Sequence, residues 1–160
     1  MTTYRLHRTQ RLPITQDVAW AFFSNPHNLE EITPPWLRFE ITSAMPKLMY
    51  PGMIATYDLK FYNLIPLSWV TEITHVIAPH YFVDEQRFGP YQFWHHQHHF
   101  EPIIDPDSGN EIGVEMTDTV HYRLPFGIFG AIAHGLMVEH QLRDIFDYRV
   151  KMLTEFFGEL

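Results

Sequence analysis

Between Leu37 and Leu124 the pattern has period two, in runs that only an extended chain can present to one face. Met53, Ala55, Tyr57, Leu59 and Phe61 form one such run, and Trp69, Thr71 and Ile73 another. Phe82, Asp84, Gln86 and Phe88 share one face of a third strand. Val114, Met116, Asp118, Val120, Tyr122 and Leu124 share one face of the last. Short turn signals separate them: Gly89-Pro90, and Asp105 to Asn110, reading DPDSGN. The pattern predicts an antiparallel meander.

Before it, Tyr4 to Leu12 reads as a strand. Thr15 is a predicted N-cap for a short helix over QDVAWAFF, and Asn25-Pro26 predicts a second over His27 to Ile32, ended by Pro34-Pro35. After the meander, Pro125, Gly127 and Gly130 break the sheet and the period changes to helical. Ile132, Leu136, Phe146, Val150, Leu153 and Phe157 form one stripe, with Glu139 and Arg143 on the same face at a pairing distance of four. A long amphipathic helix and a curved antiparallel sheet bury each other's apolar faces in an α+β domain. With no repeats or linkers, residues 1–160 are expected to form a single domain.

Composition narrows the partners. The net charge of −8 disfavours nucleic acid and anionic membranes, which select clustered Lys and Arg. The absence of cysteine removes disulfides, thiolate metal sites and cysteine nucleophiles. MTTYRLHRTQ lacks the apolar core of a secretory signal, and no apolar run is long enough to span a membrane, so a soluble cytoplasmic protein is expected. No phosphate-cradling glycine loop, GxSxG elbow or HExxH pattern occurs.

The most concentrated chemistry is GPYQFWHHQHHF, Gly89 to Phe100. Alternation divides its histidines. His95 and His99 share a face with Phe93 and are expected in solvent, whereas His96 and His98 lie with Trp94 and Phe100 and are expected inside. A hairpin at Gly89-Pro90 places Asp84 opposite His96 and Gln86 opposite Trp94. If the Asp105 to Asn110 loop pairs Phe100 with Val114, His96 also faces Asp118; a slip of two would bring His98 to Asp118 instead. The first register is the expectation here, with flanking carboxylates raising the His96 pKa.

Four stretches together resemble the helix-grip (SRPBCC) superfamily, which includes START domains, Bet v 1-like proteins, polyketide cyclases and coenzyme-Q-binding proteins. They are LPITQDVAWAFFSNPHNLEEITP, MYPGMIATYDL, FVDEQRFGPYQFWHHQHHF and LRDIFDYRVKMLTEFF, and the resemblance covers nearly the whole chain. It is similar to the small bacterial ligand-binding branch. The resemblance implies a curved sheet wrapped around a long C-terminal helix, with a cavity between them for a lipid, quinone or polyketide-like ligand. On this reading Asp84, Gln86, Phe88, Trp94, His96 and His98 line that cavity. Phe100, Asp118, Tyr122, Glu139, Arg143 and Phe146 complete it.

Several uses of the row Asp84–His96–Asp118 compete: a polar belt holding register, a seat for a ligand's polar head, or cyclase- or dehydratase-type acid–base catalysis. A protein-interaction module with a vestigial pocket is a further alternative. His96-x-His98 with two carboxylates is a conceivable ligand set for zinc or iron, but the flanking Trp94 and Phe100 weigh against it, so no metal and no cofactor are expected. PFGIFG and NLIPLS are candidate entrance lids, and Trp36 a candidate for the pocket mouth. Ligand identity and oligomeric state are left open by the sequence.

Overall fold

The computed structural model describes residues 2–61, 65–125 and 137–160. Strand β1 (Tyr4–Leu12) leads into helix α1 (Gln16–Phe23), where the Thr15 hydroxyl caps the Val18 amide, and then into α2 (Pro26–Glu31), where Asn25 caps and Pro26 opens the helix. Both caps satisfy N–H groups that a short helix otherwise leaves unpaired. A single 3₁₀ turn (Pro35–Leu37) follows the double proline. Then come β2 (Glu40–Ile41), β3 (Met53–Phe61), β4 (Ile65–Ile77), β5 (Tyr81–Phe88), β6 (Phe93–Ile104), β7 (Glu111–Arg123) and the long helix α3 (Glu139–Phe157). Among the described residues, no helix is long and apolar enough to cross a membrane.

The strands form one antiparallel sheet in the order β1-β7-β6-β5-β4-β3-β2, so the first strand closes beside the last. Polar side chains of β1 tie α3 to that edge. Gln10 donates to the Val150 carbonyl at 3.0 Å, and Arg8 meets Asp147 at 3.3 Å.

Three register shifts interrupt the alternation: one leaves Thr74 as an extra residue in β4, and the other two move residues predicted to face inward. Val70 pairs with Phe88 but Thr71 pairs with Gln86, which leaves Arg87 as an extra residue in β5 and reverses its alternation there. Phe88 is therefore outside, 65 % exposed, rather than on the inner face as alternation predicted. At the β6–β7 hairpin, Asp105 and Asn110 close the loop. Ile104 pairs with Glu111 and Ile103 with Gly113, so Ile112 is the extra residue. That insertion restores inward-to-inward pairing but shifts the strand, placing Phe100 opposite Met116 instead of Val114.

The core has two parts. Leu12, Ala19, Phe82, Phe100, Val114 and Leu153 form one cluster, with Trp20 and Phe23 of α1 packed on it. Leu6, Trp94, Val120, Tyr122, Leu142 and Phe146 form the other. Along β6 the order Trp94, His96, His98, Phe100 runs from the second cluster to the first, so a polar band separates them.

Candidate functional site

The polar band consists of Asp84 on β5, His96 and His98 on β6, and Asp118 on β7. Asp84 lies opposite His96 as expected. Asp118 lies opposite His98, with Val120 opposite His96, because of the Ile112 bulge. The expected register is thus corrected by two residues, yet the histidines still share both carboxylates. His96 Nε2 is 3.0 Å from Asp118 Oδ1, and His98 Nε2 is 2.9 Å from Asp84 Oδ2. Closing the square, His96 Nδ1 is 3.3 Å from Asp84 Oδ2. His98 Nδ1 is 2.8 Å from Asp118 Oδ1, a close contact without hydrogen-bond alignment. The imidazole centroids are 3.7 Å apart.

Burial sets the electrostatics. Asp118 is almost fully buried and is held well below the usual carboxylate range: burial opposes ionisation, but hydrogen bonds and charge from both histidines outweigh it. Asp84 is lowered likewise. There burial is outweighed by His96, by the His98 hydrogen bond and by Trp94, whose indole N–H donates to Asp84 Oδ1 at 3.3 Å. The histidines divide. Burial and the adjacent His98 push the His96 pKa down despite its carboxylates, whereas for His98 the two carboxylates overcome burial and push it up. The expected rise at His96 is therefore a fall. Two imidazoles in contact resist carrying two charges, and His98 is the better-placed proton holder.

A fifth member comes from α3. Arg149 Nη1 is 3.6 Å from Asp118 Oδ2, and its guanidinium lies over the Phe146 ring, 4.8 Å from the centroid. Arg149 is buried, and its Nε has no partner among the described residues. With His98 protonated and His96 neutral, two carboxylates balance two cations.

The band forms part of the wall of a cavity of about 690 Å³ between sheet and helix. Of the residues expected to bind a ligand, Asp84, Trp94, His96, His98 and Phe146 border it. Asp118 stands behind the histidines and does not reach it. Gln86 is spent on the β5–β6 turn, where its amide bonds both the N–H and the carbonyl of Tyr91. Phe100 is packed against Phe23, Phe82 and Trp20, and Tyr122 against Tyr4 and Tyr91, so each belongs to the core and not to the lining.

Glu139 and Arg143 do pair, but at the surface, with side chains 43 % and 56 % exposed. The inner face of α3 is Val138, Leu142, Ile145, Phe146 and Arg149, about a quarter turn from the predicted stripe. Ile132, Leu136 and PFGIFG beyond Pro125 lie outside the described residues, as do Asn63 and Leu64. Ile65 and Leu67 belong to β4 and line the cavity, while Trp36 packs on Tyr148. His95 and His99 are half-buried on the outer face, bonded to Glu85 and stacked on Tyr81 respectively.

Arg149 is the residue that sequence reasoning missed. Its signal was present: Leu142, Phe146, Arg149 and Leu153 fall at spacings of four, three and four, a buried-face pattern. Tyr57, Trp69 and Tyr91 were also missed as wall residues. Burial raises the hydroxyl pKa of Tyr57, with Asp84 adding to it.

No protein-family model matches the sequence, and no curated protein matches it. Solved structures do. A protein from Arthrobacter aurescens aligns over 94 % of this chain and 86 % of its own, with 16 % identity and a TM-score of 0.69. Major latex-like protein 151 of Panax ginseng aligns over 97 % of both chains at 12 % identity and TM-score 0.66. A norcoclaurine synthase point mutant from Thalictrum flavum, in complex with a transition-state analogue, aligns over 97 % of this chain and 96 % of its own, at 16 % identity and TM-score 0.63. The chain has the Bet v 1-like helix-grip fold. At these identities the likeness is one of fold, and it carries no residue roles over to this chain.

Proposed function

We propose that this helix-grip protein holds a small amphipathic molecule in the cavity, its apolar body against the aromatic and aliphatic walls and its polar head against Asp84, His96, His98 and Arg149. The observation that carries this is the wall's composition. Leu142, Ile145, Phe146, Trp69 and Tyr57 offer apolar surface, and the four ionisable side chains Asp84, His96, His98 and Arg149 lie together among a few neutral polar ones such as Thr71 and Gln141. Small-molecule pockets combine these features, and a volume near 690 Å³ suits a drug-sized ligand. Burial of the apolar body supplies affinity, at about 25 cal/mol per Å². The band supplies orientation, because a head group that leaves its buried donors unpaired is rejected. The norcoclaurine synthase structure, with its bound analogue, is consistent with a helix grip serving as a small-molecule site.

The test is direct. The purified chain should bind 1-anilinonaphthalene-8-sulfonate in a 1:1 complex with strong fluorescence enhancement, and long-chain amphiphiles should displace it competitively. A chain that enhances no fluorescence and shows no bound molecule by native mass spectrometry would refute the reading.

One observation favours a second use of the same wall. The His98–Asp84 pair at 2.9 Å is open to the cavity, and a carboxylate-paired imidazole is suited to moving a proton in a cyclisation or dehydration. A binding protein should tolerate His98→Gln with a modest loss of affinity. An enzyme should lose turnover by about a hundredfold or more.

A further inference from the structure

Three electron-pair donors converge at one point of the cavity wall. His96 Nδ1 and His98 Nε2 approach the same oxygen of Asp84, Oδ2, at 3.3 and 2.9 Å, and one ligand atom from each residue falls within a 4.8 Å cluster. Metal–ligand bonds of 2.0–2.1 Å set neighbouring donors about 2.9 Å apart at right angles and about 3.4 Å apart at the tetrahedral angle. The two histidine–carboxylate spacings therefore match a coordination shell, and a small side-chain adjustment within the 4.8 Å cluster brings all three donors onto one ion.

The surroundings are arranged as a second shell would be. The other carboxylate oxygen of Asp84 accepts from the Trp94 indole, which turns Oδ2 toward the histidines. Asp118 Oδ1 sits beside the opposite ring nitrogens, 3.0 Å from His96 Nε2 and 2.8 Å from His98 Nδ1. Protons placed on those two nitrogens leave both lone pairs directed at Asp84 Oδ2. A carboxylate behind a metal-bound imidazole fixes the tautomer and raises ligand basicity in this way. Here Asp118 hydrogen-bonds His96 in that way and lies in close contact with His98 Nδ1, which a small ring rotation would align.

We propose that Asp84, His96 and His98 form a binding site for a divalent first-row metal ion such as Zn²⁺, with Asp118 behind the imidazoles holding the His96 ring through Nε2. Two imidazoles and a carboxylate are a donor set suited to zinc and its neighbours. Three protein ligands leave a coordination position, and the cavity is where these residues are open. The inference rests on the proposed ligand cavity and sharpens it. With the ion bound, two carboxylates, Arg149 and a divalent cation sum to one positive charge, so the preferred head group is an anionic oxygen donor such as a carboxylate, enolate or phenolate. It also departs from the expectation drawn from Trp94 and Phe100: those flanks turn out to bracket the site, one orienting its carboxylate and the other packed in the core behind.

The experiment uses the full chain stripped with EDTA, titrated with Zn²⁺ by calorimetry and with Co²⁺ by visible absorption. The expected result is saturation at one ion per chain with an intense Co²⁺ d–d spectrum. Asp84→Asn should abolish it, and Asp118→Asn should weaken Zn²⁺ binding by about 10–100-fold. A His95→Ala/His99→Ala control, on the outer face of the same strand, should bind as the wild type does. Absence of saturable binding, or binding lost in the outer-face control and kept in Asp84→Asn, would overturn the proposal. Should Asp84→Asn fail to unfold cooperatively, the wild type decides. Co²⁺ should shift the ring resonances of His96 and His98, and a shift confined to other histidines would overturn the site. Displacement of the fluorophore in EDTA separates the two claims: amphiphile binding without Zn²⁺ binding removes the metal and leaves the cavity reading standing, whereas Zn²⁺ binding without fluorophore binding does the reverse.

Discussion

At the scale of single residues, His96 and His98 are two positions apart on one strand, yet burial and contact drive their proton affinities in opposite directions. In the metal-free chain, imidazole NMR titration should place the His98 midpoint above 6.5 and the His96 midpoint below it; both on the same side would contradict the arrangement. The consequences for stability have opposite signs. His98 has a raised folded-state pKa, so its contribution is complete below pH 6.5 and is lost as pH rises through the folded value. His96 has a depressed one, so its contribution is present above pH 6.5 and is lost as pH falls through the folded value. Asp84 and Asp118 contribute above pH 3.8 and lose that contribution as pH falls further, through their lowered values. Acid unfolding should therefore steepen in that lower window. Asp118→Asn removes the partner of two histidines and of Arg149 while leaving a buried guanidinium behind. Urea unfolding should register a loss of about 3 kcal/mol; an unchanged midpoint would show that the band contributes nothing to stability.

At the scale of elements, turns and caps carry the local order and bulges carry the register. Thr15→Ala should cost about 1 kcal/mol through the lost cap of α1. Gly113→Ala should cost about 1–3 kcal/mol, because the added methyl would lie 2.7 Å from the Leu12 carbonyl oxygen, where β1 runs against the bulged strand. Equilibrium denaturation checks both. The element order and the strand faces were legible because alternation and proline-marked caps are local signals. The Asp84–His96 pairing was legible for the same reason, since the Gly89-Pro90 turn fixes it from nearby. The bulges at Arg87 and Ile112 have no such signal: nothing in QRFG or NEIG distinguishes an inserted residue from a paired one. They moved Phe88 outside and moved Asp118 from His96 to His98. The inward face of α3 was misphased because Val150 and Glu139–Arg143 were taken with Phe146, while Arg149, a charged residue at a core spacing, was passed over. Its spacing from Phe146 and Leu153 marked it as a core position, but the carboxylate it meets there, Asp118, comes from a distant strand that no local period encodes.

At the scale of the whole molecule, a helix held off a curved sheet leaves an interior cavity, and the charged band occupies one patch of a mostly apolar wall. Ile145→Trp projects a large ring into that space from the middle of α3. It should keep the melting temperature within a few degrees of the wild type while weakening fluorophore binding by at least about tenfold; unchanged binding would place the fluorophore elsewhere. The central claim is that apolar burial in this cavity drives binding and the band orients the head. Its most direct measurement is the affinity of a homologous series of n-alkyl carboxylates for the wild-type chain. The account predicts a gain of about 0.8 kcal/mol per methylene, close to fourfold in affinity, until the cavity is filled, with a plateau or reversal beyond. Affinity that is independent of chain length would contradict it.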